Sequence, residues 1–307
     1  MPFTTNFSGA AQVDDSIVLA YDQAFIVANQ ESDVMDQFAS VRFDIGAKSI
    51  QFPRYANLAA ATTPLTEDED VTSTAMADSA ILLTPAEYGA AVTTTKLASL
   101  QTGGTADLAA ATLVGMSAAR TSNKLACLAL DASSNVWSGT AGNVAAGSVG
   151  AGEILSGALL NKIYNKLSRA SVPGVAGMEY VLVAHDDVLT DLRAESGWID
   201  VAKYQDASRV LRNEIGMYKG FRIVRNNEAT YADQAGAGTV DEYLSYAFGF
   251  NAFGKAVSKP TTMSATGPFD KLGRFVNLGW HGVFQYKIVE QDAIWTLRTS
   301  SSVGVNA

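Results

Sequence analysis

The stretch from Val41 to Thr95 limits what this chain can fold into more than any other. Val41, Phe43 and Ile45 alternate with Arg42 and Asp44, Gly46 breaks the phase, and Ile50 and Phe52 resume it. This period of two predicts a half-buried strand over 41–55 with a bulge at the glycine. Pro53 places the strand at a sheet edge, because proline has no N–H to offer a second neighbour. Residues 79–95 return as strand, through Ile81–Leu83 and then Val92–Thr95. Between the two, residues 56–78 are small, polar and acidic, with no apolar period, and predict a long exposed excursion. Together they make an extended hairpin of about 55 residues. A two-stranded hairpin is marginal by itself in water, so the hairpin needs another surface to lie on.

The charge distribution singles out the same region. The 307-residue chain has a formal net charge of −9. Residues 1–100 carry 13 acids and 4 bases, so residues 101–307 carry 18 of each and the whole excess lies in the first third. Charged residues are 17% of the chain, against roughly 25% in an ordinary soluble domain, while hydrophobic residues are 48%. Such a chain buries a large core, is not disordered, and has less solvated surface than usual, as expected where surface is covered by partners. Its length suits one large or two modest domains. A neutral C-terminal two-thirds argues against a basic nucleic-acid reader. No uncharged apolar run reaches the roughly 18–20 residues of a transmembrane helix. The start, MPFTTNFSGA, has no basic or apolar leader pattern, so no signal peptide is expected and the chain is expected to fold in the cytoplasm. The single cysteine, Cys127, excludes an intrachain disulfide, and two distant histidines, His185 and His281, make a His-rich metal site improbable.

The remaining segments predict a mixed α+β chain. Val13, Ile17, Ala20, Ala24 and Val27 predict a helix over 11–30, with Asp14 and Asp15 in its first turn. Residues 104–130 predict the longest helix, about 40 Å at 1.5 Å per residue. Thr105 is its expected cap, with Leu108, Ala111, Gly115, Ala118 or Ala119, Leu125 and Leu128 along one stripe. A Gly/Ala/Ser-rich loop is expected over 132–152. Leu155, Leu159, Ile163 and Leu167 predict a helix over 153–170, ended by Pro173-Gly174. Tyr180–Ala184 is a continuous apolar run suited to a strand covered on both faces. Asp186 is the expected cap of a short helix carrying Val188, Leu189 and Leu192. A hairpin over 215–225 and a strand over 243–250 follow. Even positions from Val276 to Ile288, then Ala293, Trp295 and Leu297, predict a long strand, a short turn and a return strand.

Catalytic patterns are few. Gly249 to Lys255 fits G-x-x-x-x-G-K, but Ala256 stands where a P-loop needs Ser or Thr, and Pro260 forbids the helix that must follow. The segment reads as a crossover between strands. Gly147 to Gly152 reads as a flexible loop, since no strand precedes it. His185 lies beside Asp186 and Asp187, but no nucleophile motif accompanies it, so it reads as a strand end and helix cap. His281 reads as a cross-strand contact, and Cys127 as a small buried hydrophobe. Glu67, Asp68, Glu69 and Asp70 lack the glycine and distal glutamate of a calcium loop and read as a solvated tip. No catalytic, cofactor or metal residue is expected.

Several phrases, in order, point to one family. They are Leu65-Thr66-Glu67 before the return at Ile81–Val92, and Tyr180-Val-Leu-Val-Ala-His185-Asp186-Asp187 running to Asp191-Leu192-Arg193. Then come Glu214-Ile-Gly216 to Gly220-Phe221-Arg-Ile-Val224, Phe248-Gly-Phe-Asn-Ala-Phe253-Gly254-Lys255-Ala256, and Phe275 to Trp280. From about 40 to 300 the chain resembles the tailed-phage major capsid proteins with the Hong Kong 97-like fold. The resemblance implies an N-terminal arm (1–40), an extended loop (41–100), a peripheral domain with a spine helix (101–152 and 256–307) and an axial domain (153–255). It implies a structural protein, not an enzyme, that needs no cofactor and assembles with itself into hexamers and pentamers of an icosahedral virion head. The implied partners are a portal protein, a separate scaffolding protein, a possible cement protein and packaged double-stranded DNA, met in the host cytoplasm and away from membranes. An encapsulin-like nanocompartment is the alternative, and an NTPase or hydrolase a weaker one. Some members cross-link through a loop lysine; Lys48 lies in the matching hairpin without any sequence reason to assign it that bond. The acidic tip is expected to meet bases of an adjacent copy, with Arg120, Lys124, Lys162, Lys166 and Arg169 as candidate receivers.

Overall fold

The computed structural model describes residues 23–29 and 33–304, apart from 56–57, 59, 66, 69, 104, 140–141, 143–145, 176–178, 196–197, 201–213, 267–269, 271 and 273. The expected first turn at Asp14 and Asp15 lies outside the described residues; the last part of that helix is present as α1 (23–29).

Two sheets and a detached ribbon organise the chain. The four-stranded sheet has the order β1 (Ser40–Phe43), β12 (Phe253–Thr266), β13 (Phe275–Ile288), β4 (Ala86–Thr95). The β1–β12 pair is parallel and the others are antiparallel. The larger sheet runs β5 (Val136–Ser138), β14 (Ile294–Thr299), β11 (Glu242–Phe248), β6 (Tyr180–Ala184), β9 (Phe221–Arg225), β8 (Glu214–Tyr218), β7 (Ile199–Asp200). The short β10 (Tyr231–Ala232) pairs with β11. The ribbon is β2 (Ile50–Tyr55) against β3 (Asp78–Leu83).

Every residue of β6 is buried, as its apolar run predicts, because both faces are covered. Val181 and Val183 point into a core with Met35, Phe248, Phe253 and Phe284. Leu182 and Ala184 point into a second core under helices α4 (Gly157–Arg169) and α5 (Asp186–Arg193). The helix α3 (Thr105–Asp131) faces the four-stranded sheet with small residues, among them Ala111, Ala118, Ala119 and Ser122, so its backbone approaches closely. Leu108 and Leu128, expected on that buried stripe, are exposed. Side chains of their size would hold the helix off the sheet.

Other expectations are corrected. Residues 41–55 form two strands with a turn at Gly46 (φ +79°), not one bulged strand, because β1 finds its partner in β12 and β2 in β3. Val41, Phe43 and Ile45 are consequently exposed at a sheet edge. The ribbon has six rungs, Ile50↔Leu83 to Tyr55↔Asp78, and β4 leaves it to pair with β13. Thr105 is the first helical residue of α3, not its cap. The preceding helix α2 (Lys96–Gln101) brings Thr102 close enough for its hydroxyl to accept from Ala106 N–H at 3.3 Å. His185, rather than Asp186, caps α5. The 132–152 loop contains β5. Finally, β14 does not return along β13: a 3₁₀ turn (Gln291–Ala293) carries the chain into the other sheet, where Leu297 reaches the second core.

Gly254 sets the fit between ribbon and body. A Cβ there would lie 2.7 Å from Phe52 Cε1, closer than carbon atoms tolerate. We expect Gly254→Val to destabilise the chain by about 1–3 kcal/mol through overpacking, although valine suits a strand better than glycine. Phe52→Leu in the same chain is expected to recover part of the loss, giving a coupling measurable by denaturant unfolding of the four variants.

Candidate assembly interface

Among the described residues, the ribbon is held at its root. Alternate residues Ile50 and Phe52 of β2, with Leu83 of β3, are buried against Ala256 and Val289. Polar contacts ring this small core. Arg54 reaches Glu290 at 2.5 Å and Asp292 at 3.8 Å. Thr84 N–H donates to Gln285 Oε1 at 2.6 Å, and Lys287 Nζ to the Leu82 carbonyl at 3.2 Å. The Arg42 guanidinium lies 5.2 Å from the Phe52 ring centre. Beyond the root, Leu58, Leu65, Val71 and Met76 are 60–77% exposed. An excursion that displays large apolar side chains with no body beneath it has the signature of a contact surface.

The acidic tip is solvated. Glu67 and Asp68 lie in a turn, Asp70 is exposed and its carboxylate accepts from Val71 N–H at 2.8 Å, and Glu69 lies outside the described residues. Among the described residues, no ion pair joins Glu67, Asp68 or Asp70 to Arg120, Lys124, Lys166 or Arg169, and the five candidate bases fall into two groups. Arg120 and Lys124 lie on α3, where Arg120 pairs with Glu228 at 2.7 Å. Lys162, Lys166 and Arg169 share α4, a helix with no acidic residue. Lys166 Nζ stands 5.2 Å from the Trp137 ring centre and 4.5 Å from that of Trp295, and Lys162 Nζ 5.7 Å from Trp137. Stacking between the two indoles orients the Lys166 ammonium.

The sequence patterns that suggested chemistry have structural roles. Gly249 to Lys255 is a crossover from β11 into β12, as its proline predicts. Lys255 is buried, with its ammonium on Asp36 Oδ2 and 4.9 Å from the Phe284 ring centre. Tyr286 donates its hydroxyl proton to Asp36 Oδ1, and its oxygen lies 2.5 Å from Ser122 Oγ. Burial and the Asp36 charge hold the Tyr286 hydroxyl well above the usual tyrosine range. This hub was missed in the sequence; its one signal is a lysine inside the apolar strand Phe253–Val257. His185 Nδ1 accepts from Asp187 N–H at 3.4 Å, while the Tyr243 hydroxyl donates to Asp187 at 2.8 Å. His281 bridges strands: Lys259 donates to its Nδ1 at 2.8 Å, and its Nε2 faces Glu87. Gly147 N–H donates to buried Glu242 at 2.7 Å, pinning the glycine-rich loop.

No family model and no curated protein matches the sequence. Solved structures do match it in three dimensions. The capsid of Ralstonia phage GP4 superposes with a TM-score of 0.74 at 12% identity, covering 88% of this chain and 92% of that one. The chain has the Hong Kong 97-like capsid fold. The head structure of Helicobacter pylori bacteriophage KHP40 shares this fold with a TM-score of 0.63, at 10% identity over 89% and 91% of the two chains. A virus-like particle from Pyrococcus furiosus shares it with a TM-score of 0.55, at 12% identity over 90% and 97%. Among the described residues, no helix is long and apolar enough to cross a membrane, and no group of three His, Cys, Asp or Glu side chains is placed to hold a metal.

Cys127 tests the structural reading of its pattern. Burial pushes its thiol up to about 12, so almost no thiolate exists at neutral pH. A thiol reagent at pH 8 is expected to label the native chain at least about a hundredfold more slowly than the chain in concentrated guanidinium.

Proposed function

We propose that this chain is a major capsid protein, whose copies assemble into hexamers and pentamers of an icosahedral phage head around double-stranded DNA. The observation that carries the reading is the ribbon: rooted on Phe52 and Leu83, apolar beyond its root, and exposed there among the described residues. In a shell, the neighbouring copy supplies the cover. Obligate assemblies bury more than about 2,000 Å² per interface and more apolar surface than transient ones. The low charge fraction of 17% suits such a protein. On this reading the chain is not an enzyme and uses no cofactor. It works in the virion after assembly in the host cytoplasm, with a portal, a scaffolding protein and, in some heads, a cement protein as partners.

The same reading divides the chain into an arm (1–40), an extended loop (41–100), a peripheral domain (101–152 with 256–307) and an axial domain (153–255). On this division β5 and β14 fall in the peripheral ranges and pair in the sheet that also holds β11, β6, β9 and β8 of the axial range. The acidic tip would meet a neighbour's bases. Of the five candidates, the α4 group suits it better than Arg120, which Glu228 already neutralises in part. Exposed ion pairs are worth only about 0–1 kcal/mol each and are screened by salt, so they govern docking and register more than strength. An encapsulin-like shell is the second reading, supported by the Pyrococcus particle with its lower TM-score of 0.55.

Electron microscopy of the purified full-length chain is expected to show closed icosahedral particles; small discrete oligomers under all conditions would count against the proposal. Sequencing the enclosed contents separates the two readings, since genomic DNA marks a phage head and an enzyme cargo a nanocompartment. Replacing Glu67, Asp68, Glu69 and Asp70 by their amides is expected to slow assembly in low salt and flatten its salt dependence, followed by light scattering.

A further inference from the structure

Strand β4 forms one edge of the four-stranded sheet, and that edge is open. Its ten residues pair with β13 in unbroken register, from Ala86↔Phe284 to Thr95↔Phe275. Lys96 N–H continues the ladder by donating to the Arg274 carbonyl at 2.8 Å, so the even-numbered residues exchange their hydrogen bonds with β13. The odd-numbered residues therefore turn N–H and C=O away from the sheet, and among the described residues no strand pairs with that side. Pro85, which has no N–H, closes the edge at one end. Thr95, whose hydroxyl caps α2 by accepting from Ala98 N–H at 3.1 Å, closes it at the other. Glu87, Gly89, Ala91 and Thr93 remain between them, all exposed. Exposed edges are normally guarded by lysine, proline or a bulge. The outer part of β12, beyond its pairing with β1, carries Lys259 and Pro260. Strand β4 has no such guard, and its one charge, Glu87, is turned to His281.

We propose that β4 pairs antiparallel with β4 of a second copy about a two-fold axis at Ala90, joining two four-stranded sheets into one. The inference rests on the shell reading for the presence of a second copy; the choice of partner comes from the strand itself. One self-paired register uses every free group: Glu87 lies opposite Thr93 and Gly89 opposite Ala91, each pair formed twice, while Pro85 falls opposite Thr95 where pairing stops. The side chains match in that register. On the face shared with buried Leu278 and Trp280, Tyr88 meets Val92 of the second copy. Val92 is 40% exposed in the single chain, and an aromatic ring against a β-branched side chain is a favourable cross-strand pair. Ala90 meets its own twin, small enough for the close approach of a pair without backbone hydrogen bonds. The two Glu87 carboxylates stand six residues apart along the strands, about 20 Å, so no like charges face each other. The same patch serves both copies, as a two-fold interface requires.

Cysteine cross-linking of the full-length chain tests the register, since the native Cys127 is buried. Ala90→Cys sets two thiols across the axis with Cα atoms about 4.5 Å apart, within the span of a disulfide. Ala86→Cys, also at an exposed position, sets them about 27 Å apart. Under mild oxidation the Ala90→Cys dimer is expected to form at least about tenfold faster than the Ala86→Cys dimer. Adding Ala91→Pro to Ala90→Cys removes an outward N–H but no bond to β13, so the chain is expected to keep its circular dichroism and lose the dimer. Equal rates for the two cysteine variants, or a dimer that survives the proline in a folded chain, overturn the pairing. Should the proline variant unfold, a mixture of Glu87→Cys and Thr93→Cys chains decides: a mixed disulfide identified by peptide mass supports the register, and its absence refutes it. Closed particles in the electron microscope without the Ala90→Cys cross-link overturn the pairing and leave the shell reading standing; the cross-linked dimer without particles does the reverse.

Discussion

The antiparallel pair of β12 and β13 is the constraint on which the rest of this fold depends. Each strand has 14 residues, paired from Phe253↔Ile288 to Thr266↔Asn277 with register shifts around Lys259 that bend the pair. At its inner end Phe253 to Val257 are buried; at its outer end β12 is largely exposed. Four features lean on it. The helix α3 packs on Trp280 and Phe284, the ribbon root on Ala256 and Val289, the arm segment on Lys255 and Tyr286, and β4 along the outer edge. A displacement of this pair would carry α3, the ribbon root and residues 33–39 with it.

The distribution of residue size on α3 explains both the tight body and the exposed surface. Alanine, glycine and serine on the inner face allow close approach to the sheet, which leaves Leu108, Leu113 and Met116 outside, and Leu97 and Leu100 of α2 are exposed as well. In a protein that works alone such a surface is a liability. On the proposed reading it is area offered to other copies. The polar side chains that attracted attention as possible catalysts are committed elsewhere: His185 to a helix cap, His281 to a cross-strand bridge and Lys255 to the arm.

Much of this was legible in order and spacing. The limits of α3, the burial of β6 on both faces, the 215–225 hairpin, the even-numbered face of β13 and the exposure of residues 58–77 all follow from local period and from the polar character of the excursion. Less was legible at the ends of elements: the short helix α2 brought Thr102 into range of the Ala106 N–H where Thr105 was the expected cap, and of the two cap readings at α5, Asp186 and His185, the second holds.

The sequence by itself determined which segments are helix, strand and excursion, because periodicity records which side of each segment meets water. It also determined where the negative charge lies and, through the order of its phrases, the capsid fold. Only the tertiary structure decided the partners. Alternation states that a strand has a buried face but not what covers it, so β1 went to β12, β4 to β13 and β14 to β11, against the nearer partners expected from the sequence. For the same reason the joining of Asp33, Asp36, Ser122, Lys255 and Tyr286 had no sequence signal beyond one lysine in an apolar strand. Polar groups separated by up to 250 residues meet only when the chain that carries them has folded.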